Sequence, residues 1–147
     1  MKLELATVLD CSDVGCRVKP LESDAFIEAR YSRLVQNRIM IKPAHLVAVD
    51  MSVNPPEIVW RWRRAIVIEL SPDIVVVGDI QGHPGKLTSV PDLPLALALD
   101  DEVWMCGTGR AFEVHDIIVD DIPAHPKRLL EYITPIIDDI YGNPANT

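Results

Sequence analysis

The sequence predicts a mainly β protein built as two closely packed small barrels of SH3-like or related type, with a C-terminal helix. Three observations carry this expectation. Short β-branched or alternating runs recur between Gly, Pro, Asp and Asn breaks. One segment of the first half resembles one of the second. Only the tail shows helical periodicity.

The strand signals, in order, are Leu3 to Cys11, Gly15 to Leu21, Ala25 to Tyr31, Arg38 to Asp50, Glu57 to Leu70, Ile74 to Ile80, Leu95 to Cys106 and Ala111 to Val119. Prolines fall mostly between them, as in Asn54-Pro55-Pro56 and Pro91-Asp92-Leu93-Pro94, where they restrict loops and block strand extension. In the tail, Pro126 suits a first helical turn. Leu129, Leu130, Ile133, Ile136, Ile137 and Ile140 then recur at steps of three and four. Pro135 is expected to kink or split this helix, and Gly142-Asn143-Pro144 to end it.

Setting Ala6-Thr7-Val8-Leu9-Asp10-Cys11-Ser12 over Ala65-Ile66-Val67-Ile68-Glu69-Leu70-Ser71 matches Ala, Val and Ser, and brings Val18 onto Val77. Ile39 to Val49 likewise follows the pattern of Ala96 to Cys106. A duplicated five-strand unit explains both. The expected divisions are 1–63 for the first unit, 64–122 for the second and 123–147 for the helix and tail.

The stretch Ile58-Val59-Trp60-Arg61-Trp62-Arg63-Arg64-Ala65-Ile66-Val67-Ile68-Glu69-Leu70 places two tryptophans among three arginines. Alternation puts Ile58, Trp60, Trp62, Arg64, Ile66, Ile68 and Leu70 on one face, predicted to be the core, and turns Arg61 and Arg63 away. Thirteen residues would extend about 43 Å, so the strand is expected to bend or serve two sheets. Arg64 marks the expected crossing, with its guanidinium stacked on Trp62 or Trp60.

The chain has 147 residues and a net charge of −8, which argues against general affinity for a polyanion. The charge is uneven: residues 1–64 sum to +2 and residues 65–147 to −10. No apolar run reaches the roughly 20 residues that span a bilayer. Met1 to Ala6 does not read as a signal peptide, so a cytoplasmic location is expected. Cys11, Cys16 and Cys106 are odd in number and read as reduced, buried thiols.

Candidate chemistry is sparse. Gly82-His83-Pro84-Gly85-Lys86-Leu87-Thr88 lacks the earlier glycine and the hydroxyl after lysine that a phosphate loop needs, and reads as a turn or hairpin loop. Cys11, Cys16 and Cys106 align with Leu70, Val75 and Val49, which are core residue types, so no metal or other cofactor is expected. Ser12, Ser32 and Ser89 lack a nucleophile elbow. His115 lies near Asp116, Asp120 and Asp121, with Asp100, Asp101 and Glu102 forming another acidic group. Convergence of these side chains in a pocket would supply acid–base groups.

Arg30, Arg33, Arg38 and Lys42, around Tyr31, Gln36 and Asn37, join Arg61 and Arg63 as a candidate cationic surface for a partner. The leading expectation is a non-enzymatic assembly or protein-interaction module that self-associates head to tail, basic half to acidic half. Two alternatives stand beside it: a nucleic-acid-associated barrel using the basic residues, and a small-ligand barrel or enzyme using His115 and nearby carboxylates. No membrane partner is expected.

Overall fold

The computed structural model describes residues 1–36, 41–71, 75–78, 84–88, 96–108 and 111–141. It is mainly β and divides into two compact units, Met1–Arg61 with the segment from Pro126, and Trp62–His125.

The first unit holds β1 (Leu3–Cys11), β2 (Gly15–Pro20), β3 (Ile27–Tyr31), a single helical turn α1 (Arg33–Gln36), β4 (Leu46–Asp50), the start of β5 (Glu57–Leu70) and α2 (Pro126–Tyr141). Strand β1 pairs antiparallel with both β2 and β4, β2 pairs antiparallel with β3, and β3 runs parallel to β5 at Arg30↔Glu57 and Tyr31↔Ile58. Because β4 also pairs with β5, the strands form a ring in the order β1-β2-β3-β5-β4. Ala6, Val8, Cys16, Val18, Ala29, Val47, Val49 and Ile58 fill its core.

Strand β4 is buried along its whole length, on both faces. Helix α2 packs against its neighbour β1. Leu129, Ile133 and Ile137, one turn apart, are fully buried along one stripe of the helix. Of the two outcomes expected at Pro135, a split does not occur: α2 runs unbroken through it. A proline forfeits one backbone bond and crowds the carbonyl four residues back. Pro135 is on the exposed side, where water can serve that carbonyl, and the buried stripe holds the helix together.

Gly15 opens β2 where only a glycine fits: a Cβ there would stand 2.1 Å from the carbonyl oxygen of Ala29. Its absence lets β2 and β3 close at the hairpin end.

The second unit continues β5 from Trp62 and adds β6 (Val75–Gly78), β7 (Pro84–Thr88), β8 (Glu102–Thr108), β9 (Ala111–Val119) and β10 (Ile122–Pro123). All pairings are antiparallel, in the order β7-β6-β5-β8-β9-β10. Strand β7 also approaches β9. Ala65, Val67, Val75, Val77, Val103, Met105 and Val114 form the core.

The aligned segments pair alike in the two units. Val8↔Val18 and Cys11↔Cys16 in β1–β2 correspond, residue for residue, to Val67↔Val77 and Leu70↔Val75 in β5–β6. Each ladder carries a register shift at the matching place, Val8/Asp10 and Val67/Glu69. The second alignment needs a correction of one residue. Ala6 faces Val47 while Ala65 faces Val103, which sets Val47 on Val103 and Val49 on Met105 rather than on Cys106.

Several strand ends also move. Strand β4 begins at Leu46, not Arg38: Lys42 to His45 form a turn in which Ala44 takes φ 70° and its amide donates to Val8 O. Residues 37–40 lie outside the described residues. Strand β8 begins at Glu102, since Ala98 to Asp101 turn with Asp100 at φ 68° and the Asp101 carboxylate accepting the Ala98 amide. Pro84 to Thr88, expected as a turn or loop, is β7, held by its pairing with β6 rather than by local propensity.

The burial pattern of β5 corrects the single apolar face. Ile58, Trp60 and Trp62 are buried as expected, but beyond Trp62 the buried residues are Ala65 and Val67. Ile66 and Ile68 are half-buried and Leu70 is 39% exposed. Val59, on the opposite face from Ile58, is buried too, so both faces of β5 are covered there, whereas beyond Trp62 only the face of Ala65 and Val67, which belong to a different core, is buried. A strand serving two cores keeps its pleat and changes which face is covered.

Candidate functional site

In the first unit, a cleft of about 630 Å³ opens beside the β1–β2 hairpin and β3, with Asp10, Ser12, Cys16, Arg17, Glu28 and Arg30 in its wall. Ser12 shapes its end: the Ser12 amide donates to Gly15 O at 2.8 Å, and the Ser12 carbonyl accepts the Tyr31 hydroxyl at 2.9 Å. Arg17 binds Asp10 through Nε at 3.1 Å and Nη2 at 2.6 Å, both to Oδ2. Both side chains are more than half exposed, so this pair orients the guanidinium more than it stabilises the fold. Arg30 and Glu28 are exposed on β3. The wall therefore carries two cations and two carboxylates.

Cys11 and Cys16 face each other across this hairpin with sulfurs 3.0 Å apart. Burial, reinforced by the hydrogen bond to Cys11, pushes the Cys16 thiol up to about 12. Tyr31 Oη stands 3.5 Å from Cys16 Sγ. Burial and the Cys16 contact also raise the Tyr31 phenol well above its ordinary range.

Of the six basic residues singled out from the sequence, Arg30 lines the cleft. Arg33 is exposed on α1 and Lys42 in the turn before β4. Arg61 is half-buried at the end of the first unit, and Arg63 is half-buried in the second, opposite Met105. Arg38 lies outside the described residues. Arg17, which the sequence does not single out, belongs to the cleft because β2 lies between β1 and β3.

The fold also redistributes the charge. With the C-terminal segment grouped into the first unit and Arg63 and Arg64 in the second, the first holds ten Lys/Arg against eleven Asp/Glu, net −1. The second holds four against eleven, net −7. The basic half read along the chain becomes a near-neutral unit.

In the second unit, His115 sits at a register shift: Met105 faces Val114 while its neighbour Trp104 faces Asp116, leaving His115 as the extra residue of a bulge. That is why Val114, His115 and Asp116 are consecutive yet all buried. Trp62 Nε1 donates to His115 Nδ1 at 2.8 Å, with the rings edge to face. Since Nδ1 accepts, the neutral ring carries its proton on Nε2, which donates to Glu113 Oε2 at 3.0 Å. Burial holds the His115 pKa below the usual histidine range, partly offset by Glu113.

Asp116 turns to a different task. Its carboxylate accepts the Ile117 amide at 2.8 Å, the His125 amide at 2.7 Å and His125 Nδ1 at 3.0 Å, tying the loop after β10 to β9. Asp120 and Asp121 occupy a tight turn at positive φ and are exposed. Asp116 and Asp121, singled out beside His115 from the sequence, are thus engaged elsewhere, and the carboxylate that reaches His115 is Glu113. Among the described residues, no three His, Cys, Asp or Glu side chains gather in a way that could hold a metal ion.

Arg64 stacks on Trp104, with Cζ 5.3 Å from the ring centre, rather than on Trp60 or Trp62. The register of β5 against β8 places Arg64 opposite Trp104, and its Nη2 bonds Asp121 at 2.7 Å. Among the described residues, the Trp104 indole N–H and the Arg64 Nε meet no acceptor.

Burial of His115 is expected to make stability pH-dependent. An unfolded histidine takes a proton near pH 6.5, whereas the buried ring resists it, so the unfolded state binds more protons as pH falls through about 6.5. Stability is expected to decline from there until the lower folded value is reached. Asp50 acts further into acid: burial would raise it, but bonds from Ser52 and the Lys2 amide prevail and lower it. Its contribution is therefore present above the unfolded carboxylate value and lost as pH falls through the folded one. Denaturant midpoints between about pH 7.5 and about pH 5.5 should slope downward, and His115→Gln should flatten that slope. An unchanged slope would remove His115 from the account.

No family model matches the chain, and no curated protein matches it. Among solved structures it is similar to a multidomain protein with nucleic acid binding domains from Streptococcus pneumoniae, at 13% identity and a TM-score of 0.29. The match covers 92% of this chain and 58% of that one, so the chain spans less than two thirds of its neighbour. At that score the likeness is too weak to bear on function. Among the described residues, no helix is long and apolar enough to cross a membrane.

Proposed function

We propose that this chain is a non-enzymatic interaction module, and that the cleft of the first unit is where its partner docks. The observation that carries this reading is the cleft's place on the strand ring. A ring ordered β1-β2-β3-β5-β4, with β3 parallel to β5 and a helical turn between β3 and β4, has the connectivity of the oligonucleotide- and oligosaccharide-binding barrels. In that architecture ligands settle on the β2–β3 face beside the β1–β2 loop. This connectivity favours the related barrel over the SH3-like one. The matched registers and bulges support the second unit as a copy of the first, descended by duplication.

A protein segment is the ligand favoured here. The cleft wall balances Arg17 and Arg30 against Asp10 and Glu28, which suits a partner of mixed charge better than a polyanion. A photo-crosslinking residue in place of Glu28, in living cells, should capture a discrete protein that Arg30→Glu reduces at least about tenfold, the loss of an interfacial charge pair. The same crosslinker at exposed Asp138 should not capture it. Equal capture from both positions would dispose of the cleft as the docking site.

Single-stranded nucleic acid is the second reading, favoured by the arginines on this face of the ring. It predicts anisotropy changes with short oligonucleotides at low salt, falling steeply as salt rises. Head-to-tail self-association is weakened by a first unit of net −1. Light scattering that reports a monomer at every salt concentration would end it.

A further inference from the structure

We propose that Cys11 and Cys16 are a redox-active dithiol that small-molecule disulfides convert, reversibly, into a cross-strand disulfide in the wall of the first unit's cleft. The hairpin places the pair. The Ser12 amide bonds Gly15 O, closing the turn with a hydrogen-bonded pair, so the next pair outward, Cys11↔Cys16, is a non-hydrogen-bonded one. At such pairs the Cα atoms stand about 4.5 Å apart and the side chains are closest. That spacing falls within the range a disulfide bridges without backbone movement. The sulfurs already lie 3.0 Å apart, so bond formation needs an approach of about one ångström to reach the covalent S–S length.

The two thiols differ in a way that orders the chemistry. Cys11 is half-buried and reachable, and its sulfur accepts the hydrogen bond from the Cys16 S–H. Cys16 is buried, and its proton is tightly held. Cys11 is thus the attacking sulfur and Cys16 the resolving one.

The Cys11 thiolate, its proton released to solvent, attacks one sulfur of a disulfide such as oxidised glutathione. The S–S bond of the reagent breaks, one thiolate leaves and takes a proton, and Cys11 carries a mixed disulfide. Cys16 then attacks Cys11 Sγ, expels the second thiolate and yields its proton to it. Two protein thiols are oxidised, and one disulfide is reduced to two thiols. The closed loop is short, so the cross-link adds less to chain stability than one that closes a long loop. Ser12, Val14 and Gly15, held within that loop, line the cleft, so the bond stiffens its edge.

The test uses the full chain carrying Cys106→Ser, equilibrated with excess oxidised glutathione, alkylated and mapped by mass spectrometry. Both Cys11 and Cys16 should lose alkylation together, in a peptide joined by an internal disulfide, and a reducing thiol should restore it. Cys16→Ser should halt at one glutathione on Cys11, and Cys11→Ser should leave Cys16 alkylatable. Thiols that stay alkylatable in the parent chain, or glutathione lodged first on Cys16, would overturn the proposal. The parent-chain result decides the matter even if a serine variant fails to fold. It is also independent of what the cleft binds.

Discussion

Replacing Trp62 by alanine is expected to lower the stability of the second unit by about 3–5 kcal/mol, the usual cost of deleting a large aromatic from a packed core. Trp62 is wholly buried, so nothing of its volume is recovered from solvent. The substitution also removes the donor to His115 Nδ1, buried with it. Trp62→Phe separates the two effects: most of the packing stays while the indole N–H goes, and a loss of about 1–3 kcal/mol is expected. Denaturant midpoints with unchanged slope measure both. A Phe variant as stable as the parent would show that the hydrogen bond adds nothing, and an Ala variant within about 1 kcal/mol of it would refute the burial argument.

Asp116→Ala is expected to cost about 2–4 kcal/mol, because one buried carboxylate serves two backbone amides and a histidine nitrogen. Removing it strips acceptors from donors that folding has withdrawn from water, the asymmetry that makes lost buried partners expensive. Asp116→Asn keeps an acceptor oxygen and should retain about half of the loss. Hydrogen exchange at the Ile117 and His125 amides gives a local readout, and both should exchange faster in the alanine variant. Unchanged protection there would show that the carboxylate is not what holds the segment.

These two residues also mark where sequence reading stopped. Trp62 was legible as core, since alternation along β5 turns it the same way as Ile58 and Trp60. Asp116 was not. It read as one of several acidic residues near a histidine, and its true role depends on a loop returning nine residues later to present the His125 amide. His115 was placed beside carboxylates by proximity along the chain. The bulge that buries it against Trp62 arises from a mismatch between β8 and β9, which neither strand shows alone. The cleft is illegible along the chain for the same reason: Asp10, Arg17 and Glu28 become neighbours only when three strands are paired.

By itself the sequence determined the local terms: which runs extend, which tail coils into a helix, that Trp60 and Trp62 turn inward, and that β1 and β5 share a residue pattern. Those follow from side-chain alternation and helical period, which act over a few residues. Tertiary structure decided what depends on distant partners. It chose Trp104 for Arg64, took Lys42 to His45 out of the strand, carried α2 unbroken through Pro135, and changed which positions of β5 are buried beyond Trp62. It also grouped the C-terminal helix with the first unit, turning an apparent basic half into one of net −1. Pairing register and burial are properties of surfaces brought together from far along the chain, and no local pattern encodes which surface will cover which.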